Sequence, residues 1–334
     1  MKSKKRQEAY SKSGAFGFLA KIESRHVINM IGAVLVVAGL LILYKVKPVF
    51  FSLENIKSIL TQTSTLCIMA FGLSFVLVAG SMDISLPIMM LLSAVVGGLV
   101  IESTGNIALG IVALSLTSIA CGAVSGFFIS KMNMLAFMTT LVMQIIASGI
   151  ANLLAQSRTI SLPAAFTKLN TSIGGILPIP VFIMAGIGII LHFVLKKCVF
   201  GRSLFAIGIN KAAADTCGIP VSKYLFITHI LATFMAGFSA IIMMSRLGSV
   251  SLMMVTDSTG LDVVCAAIVG GASIYGGSGS IMGAFLGSAL ISTIQNIINL
   301  FGIDTFTMYL IKGAIILICT YIDMIKTRMR RVTI

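Results

Sequence analysis

GSMDISLP, residues 80–87, divides an apolar stretch that runs from Ser64 to Ile101. Asp83 is the only charged residue in that stretch. A membrane helix needs about 20 apolar residues, so the stretch is too long for one helix and suits two. Glycine, serine and proline in its middle are typical of a turn. We therefore predict two consecutive membrane helices joined by this turn.

The composition is that of a membrane protein with several spans. Of the 334 residues, 57% are hydrophobic and only 10% are charged, and the mean hydropathy is +1.07. Soluble domains carry about 25% charged residues. The net charge of +14 lies in loops and tails beside apolar runs, which favours contact with the lipid bilayer and argues against nucleic acid as a partner. The six cysteines and three histidines are scattered singly, so we expect no metal site and no cofactor.

Hydropathy predicts an all-α polytopic membrane protein with about ten transmembrane helices. The predicted helices are 27–44, 64–79, 86–102, 107–129, 135–154, 181–195, 224–244, 261–272, 281–299 and 306–324. Residues 48–57 are expected to lie at the membrane interface. Residues 1–26 form a basic cytoplasmic arm, 27–324 the transmembrane domain with a cytoplasmic loop at 196–223, and 325–334 a basic cytoplasmic tail.

Lysine and arginine positions predict the orientation. With both termini in the cytoplasm, 17 of the 24 basic residues lie on the cytoplasmic side and 6 on the outside, as the positive-inside rule requires. The turn at Gly80 then lies on the cytoplasmic side, where a carboxylate costs less than at the bilayer centre. We expect Asp83 to cap the helix that starts near Pro87 and to act as a structural and gating residue.

A second interruption lies in a charge-free stretch from Val263 to Asn299. Its sequence is GGASIYGGSG, residues 270–279. Clustered glycines interrupt a helix, and they either form a tight turn with close helix packing or free backbone groups to line a cavity. Residues 78–97 and 269–287 resemble each other, which predicts a parallel internal repeat with a break in each copy, as in many transporters.

Polar side chains follow on the next helix. Gln295, Asn296 and Asn299 share about one face. They form either a polar translocation face or hydrogen bonds between helices, and Gln144 poses the same choice. Lys312 is expected to extend towards the membrane surface, or else to pair with an interior carboxylate.

The loop at 196–223 contains a short predicted helix from Asn210 to Cys217. Asn210 caps its start, and Gly218 precedes the residues that end it. Such a helix at the inner face of a membrane protein could dock on a soluble partner or simply connect two spans.

Three motifs in this order resemble the permeases of ribose-type ABC importers, over residues 55–325. They are the Gly80 turn, the loop segments Phe200-Gly201-Arg202 and Gly208-Ile209-Asn210, and the glycine-rich run after Leu261-Asp262. Ser81, Lys211 and Gly260 depart from the family pattern, which would suit one half of a heterodimeric pair.

The resemblance implies coupling residues and pathway residues. Contact with the ATPase is implied for Gly201, Gly208, Asn210, Lys211, Ala212, Ala213, Gly218 and Ile219. A role in translocation or gating is implied for Gly80, Ser81, Asp83, Ser85, Gly270, Gly271, Ser273, Gly276, Gly277, Asn296 and Asn299, and the amide pattern on the helix adds Gln295 as a candidate. The implied partners are a cytoplasmic ABC ATPase, a second permease subunit (the same or different) and an extracytoplasmic binding protein, in the bacterial inner membrane.

The expected function is therefore import of a small neutral solute by ATP-driven alternating access. A monosaccharide such as ribose is the expected substrate, with a nucleoside or an autoinducer as alternatives. The chain has no GxxxxGK[ST] motif, so ATP hydrolysis is expected in a separate subunit and the chain itself is not an enzyme. The alternative class is an ion-coupled secondary transporter that uses Asp83. A membrane enzyme is disfavoured because the sequence shows no nucleophile paired with a base.

Overall fold

The computed structural model describes residues 47–304 except 176 and 257, and ten residues between 307 and 324. The predicted arm, first helix and tail lie outside the described residues, as does much of the predicted helix 306–324. By compactness the chain divides into residues 1–55 and residues 56–334.

The described part of the chain is mainly helical. Its helices are α1 Leu53–Val78, α2 Leu86–Thr104, α3 Ile107–Ser130, α4 Ala136–Ala155, α5 Ala164–Thr167, α6 Ile179–Lys197, α7 Val199–Ile209, α8 Lys211–Thr216, α9 Val221–Leu247, α10 Thr259–Val269 and α11 Ile281–Leu300. Among the described residues, eight segments are long and apolar enough to cross a membrane. They match the second to ninth predicted helices in order, which confirms the all-α polytopic class.

Two boundaries differ from the prediction. α1 begins at Leu53 and not at Ser64, and only Pro48–Phe51 form a separate 3₁₀ turn. The predicted start of this helix at residue 64 was therefore wrong, because Glu54 and Lys57 lowered the hydropathy of residues that are nevertheless helical. The interfacial location of residues 48–57 stays a prediction. α7 was also missed as a helix of its own, since its 11 residues are too few for a span.

α1 is the central helix of the described bundle. In its most apolar window 83% of the residues are buried, against 22% in each of α3, α4 and α6. The latter three helices thus leave most of their apolar surface for lipid or for another subunit. Every residue of α1 from Thr63 to Val78 is buried.

Small residues allow α3 and α9 to approach closely. Ser118, Gly122 and Gly126 recur every four residues along α3 and face α9. A side-chain carbon on Gly122 would lie 2.8 Å from the Ile230 Cα atom. This is the small-residue spacing by which membrane helices pack backbone to backbone.

Loops gather at two ends of the bundle. The Ser222 hydroxyl donates to the Ser130 carbonyl at 2.8 Å, which joins the start of α9 to the end of α3. At the other end, the strands β1 Ile160–Ser161 and β4 Ser249–Val250 pair antiparallel. Between them in sequence, β2 Ser172–Ile173 and β3 Leu177–Pro178 form a second antiparallel pair.

Candidate functional site

The segment between α1 and α2 is not helical and is inserted into the bundle. Burial alternates along it, with Ser81, Asp83 and Ser85 buried and Met82 and Ile84 partly exposed. Asp83 is only 1% exposed. Asp83 is thus buried in the protein, whereas its predicted location on the cytoplasmic side of the membrane stays a prediction.

Asp83 is held by hydrogen bonds on both carboxylate oxygens. Its Oδ1 accepts the Ser85 backbone N–H at 2.9 Å and the Ser85 hydroxyl at 2.6 Å. Its Oδ2 lies 3.3 Å from Nδ1 of His229 on α9. The expected cap on α2 is not formed, since the amide that Asp83 accepts belongs to Ser85, the residue before the helix.

His229 links Asp83 to Ser81. Its Nε2 lies 3.0 Å from the Ser81 hydroxyl oxygen, and the imidazole is fully buried. An imidazole with its proton on Nδ1 satisfies both contacts, donating to Asp83 and accepting from Ser81. His229 follows the start of α9 by about 12 Å at 1.5 Å per residue, so the network lies well inside the bundle.

The order Ser81–His229–Asp83 is that of a hydrolase triad. Sequence inspection missed this nucleophile–base pair because His229 lies 146 residues from Asp83. All three side chains are buried between packed elements, however, and their hydrogen bonds fasten the extended segment to α9. We interpret the network as a structural latch, and we call Ser81, Asp83, Ser85 and His229 the Asp83 latch below.

The three predicted glycine motifs meet at one point. The Gly277 N–H donates to the Val78 carbonyl at 2.9 Å. A side-chain carbon on Gly208 would overlap that same carbonyl. One on Gly276 would lie 2.8 Å from the Gly80 Cα atom and 2.7 Å from the Gly208 carbonyl oxygen. The two helix breaks and the end of α7 are thus in backbone contact, which only glycine permits.

The second break has its own internal support. The Ser273 N–H donates to the Ser278 carbonyl at 2.9 Å and closes the loop. Gly271, Gly276 and Gly277 have positive φ angles of 90°, 86° and 69°, which glycine adopts without strain. Where the flanking helices meet, a side chain on Gly270 would overlap the Gly283 carbonyl, so α10 and α11 are in direct backbone contact. The tight turn with close helix packing therefore describes this break.

The loop 196–223 folds as α7 followed by α8. The Asn210 side chain accepts the Ala213 N–H at 3.0 Å, which confirms the predicted cap, and Gly218 has φ 81°. Phe200 stacks between Phe75 of α1 and Tyr224 of α9, at centroid distances of 6.2 and 5.6 Å. Against this anchored base, α8 exposes Lys211, Ala212 and Ala213 and buries Ala214. Gly201 packs against the Leu195 backbone, and Ile219 is partly buried.

The three amides on α11 do not form one surface. Gln295 accepts a hydrogen bond from the Gln62 amide of α1 at 2.9 Å, so it joins two helices. Asn296 is buried, while Asn299 is exposed. For Gln295 the geometry favours the interhelical role over a shared polar face.

Lys312 lies inside the protein and does not reach the surface. Its ammonium group donates to Asp262 at 2.7 Å and to the Ser258 hydroxyl at 3.1 Å. Lys312 is 9% exposed and Asp262 is 5% exposed. The expectation of a lysine extending to the interface was wrong, because α10 offers a carboxylate 50 residues earlier in the chain.

Among the described residues no group of three metal-ligating side chains is close enough to hold an ion. Sequence inspection also missed His229 and the role of Asp262. A polar residue in an otherwise apolar span was the available signal for His229, since such residues need a partner in the membrane.

These features define a multi-pass membrane protein with two broken helix pairs and a short helix that has an exposed face. The sequence profile of the family described as the permease component of branched-chain amino acid transport systems matches residues 55–320. The chain belongs to that family, whose relatives are ABC transporter permeases, and is a multi-pass protein of the bacterial inner membrane.

Curated relatives cover nearly the whole chain. The ribose import permease protein RbsC of Haemophilus influenzae is 29% identical over 90% of this chain and 93% of its own length. RbsC of Escherichia coli K12 is also 29% identical, over 90% and 94%. The L-arabinose transport system permease protein AraH of Escherichia coli K12 is 29% identical over 85% and 87%. No solved structure matches the chain.

Proposed function

We propose that this chain forms one transmembrane half of a sugar importer of the ABC class. A separate cytoplasmic ATPase would supply energy, a second permease subunit would complete the pore, and an extracytoplasmic binding protein would deliver the solute. The named relatives import ribose and arabinose, so a pentose is the substrate that we favour over a nucleoside or an autoinducer.

The contact of Gly208 with both helix breaks carries this proposal. α8 has an exposed face on which a partner could dock. α7 directly precedes α8 in the chain, and Gly208 near its end packs against Val78 and Gly277. A displacement of α8 by the ATPase would therefore reach the two breaks directly. Because close-packed backbone segments cannot move independently, such a movement would shift the breaks and change which side of the membrane the pore opens to.

Ion-coupled transport through Asp83 is less well supported. Both oxygens of this carboxylate are used by Ser85 and His229, and the group is buried. An ion-binding carboxylate would need to exchange those partners for the ion in every cycle. The Asp83 latch favours a fixed structural role.

Uptake by the purified importer in liposomes tests the proposal. The complex is isolated from native membranes, and uptake of D-ribose and L-arabinose is measured with ATP or with an ion gradient as the energy source. We expect uptake only with ATP and with the ATPase present. Uptake driven by a proton or sodium gradient without ATPase would refute the ABC mechanism.

The role of Gly208 is tested in the same system. Gly208→Ala places a carbon against the Val78 carbonyl and should abolish coupled uptake. Gly186→Ala is the matched control, because a side-chain carbon there meets nothing within 4 Å. Equal uptake by the two variants would reject the coupling route.

A further inference from the structure

A cleft with a volume of about 290 Å³ lies on the other side of the extended segment from the Asp83 latch. Met82 and Ile84 form one wall, the start of α2 a second, and α4 and the start of α10 the rest. At about 30 Å³ per water, the volume equals roughly ten waters. A pentose, with about ten carbon and oxygen atoms, is of comparable size.

The cleft contains polar groups that lack protein partners. The Gln144 amide makes no hydrogen bond to any residue that the structure describes, although it lies near the middle of α4. Likewise, the backbone N–H groups of the lining residues Met82 and Ile84 donate to no described residue. At membrane depth, non-helical backbone and free amides are stable only where water or a ligand satisfies them.

The remaining lining selects against charge and offers an apolar face. Among the described lining residues none is charged. Phe137 provides the aromatic ring, and Leu141 and Ile88 provide aliphatic surface. Thr256 adds a hydroxyl, which already contacts Thr259 at 2.9 Å. A ring with hydroxyl groups on its edge and C–H bonds on its face matches this mixture.

We propose that the cleft is the intramembrane binding site for the transported solute, a small uncharged polyol, with Gln144 as its main hydrogen-bonding side chain. This inference rests on the proposed function and adds the location and the recognising residues. The cleft also adjoins the backbone contact between Gly80 and Gly208, because Met82, two residues after Gly80, lines the cleft. A movement of α7 would therefore reshape the site.

Gln144→Leu tests the assignment by removing both amide hydrogen-bonding groups at nearly constant volume. Asn152→Leu is the matched control, because Asn152 lies on the same helix and its amide donates to the Ser148 carbonyl at 2.8 Å. With D-ribose and L-arabinose as substrates, we expect Gln144→Leu to raise the KM of ATP-driven uptake by about tenfold per lost hydrogen bond. Asn152→Leu should leave the KM unchanged.

A second pair of variants fills the cleft. Leu141→Trp places an indole inside it, whereas Ile145→Trp lies on the same helix at a side chain that is 72% exposed. Only Leu141→Trp should abolish uptake while both variants still assemble with the ATPase. If the cleft instead held a lipid chain, the indole of Leu141→Trp would take the place of that chain, and uptake would continue.

The outcomes separate this inference from the proposed function. If ATP drives uptake in the wild type and both cleft variants behave like their controls, the cleft assignment is refuted alone. If an ion gradient drives uptake without ATP and Gln144→Leu still raises KM, the ABC mechanism is refuted and the cleft assignment stands. If the wild type transports no neutral sugar or nucleoside, both are refuted.

Discussion

Replacement of His229 should destabilise the protein strongly, because this imidazole is the partner of a buried carboxylate. The His229→Leu variant keeps a side chain of similar size but removes the contacts to Asp83 Oδ2 and to the Ser81 hydroxyl, at 3.3 and 3.0 Å. Breaking one partner out of a buried ion or hydrogen-bonded pair costs about 3–5 kcal/mol. We expect a loss of this size in the free energy of unfolding.

The loss of stability in His229→Leu should arise from the Asp83 carboxylate, which this variant leaves buried without its imidazole partner. Adding Asp83→Asn to His229→Leu removes the unpartnered carboxylate, so we expect the double variant to recover at least half of the lost stability. Unfolding by SDS in mixed micelles, followed by far-UV circular dichroism, measures each variant. His192→Leu is the control, because His192 is half-buried on α6 and its side chain makes no hydrogen bond to a described residue.

The reasoning would be refuted by either of two results. One is a His229→Leu variant within about 0.5 kcal/mol of His192→Leu, which is the range of ordinary surface substitutions. The other is a double variant that is less stable than His229→Leu alone. In both cases the carboxylate would not depend on the imidazole, and the Asp83 latch would not hold the segment.

Three further perturbations follow from the packing. Lys312→Met should lower the free energy of unfolding by about 3–5 kcal/mol in the same SDS titration, because its ion pair with Asp262 is buried. Adding Asp262→Leu should restore most of the lost stability, and equal stability of Lys312→Met and wild type would contradict the ion pair. Gly122→Ala should lower the free energy of unfolding by about 1–3 kcal/mol, because the added carbon separates α3 from α9. Gly149→Ala should leave stability unchanged, because a side-chain carbon there meets nothing within 4 Å; an equal loss in both variants would reject the close contact. Ala213→Arg on the exposed face of α8 should prevent co-purification of the ATPase while the protein still folds. Ala165→Arg, exposed on α5, should still co-purify with the ATPase. Retained ATPase with Ala213→Arg would argue against α8 as the docking helix.

The order of the spans and both helix breaks could be predicted from the sequence, because hydropathy and glycine clusters are local signals. Asn210 as the cap of α8 is equally local, and the structure confirms it. The start of α1 at Leu53 was missed because a hydropathy window responds to charge and not to helix formation. The orientation and the parallel repeat stay predictions, although the two breaks do lie side by side.

The interior polar contacts could not be predicted because each joins distant parts of the chain. His229 and Asp83 are 146 residues apart, and Lys312 and Asp262 are 50 apart. From the sequence alone, a lysine in a span could lie at the membrane surface as well as in the protein interior. A carboxylate in a turn could likewise face solvent as well as the interior. Only the packing of α9 against the first break, and of Lys312 against α10, decides between these positions.

The central claim is that α7 transmits movement to the helix breaks through backbone contact. A disulfide tests it most directly, since the Ile209 Cγ1 atom would lie 2.8 Å from a side-chain carbon on Gly277. The variant Ile209→Cys with Gly277→Cys is made in a background without the six native cysteines, and ATP-driven uptake is measured after oxidation and after reduction. We predict that the cross-link forms and that uptake stops while it is intact. Reduction should restore uptake only to the level of the Gly277→Cys single variant, because Gly277 has a φ angle of 69° that favours glycine. Normal uptake by the cross-linked protein, or no cross-link under oxidation, would contradict the claim.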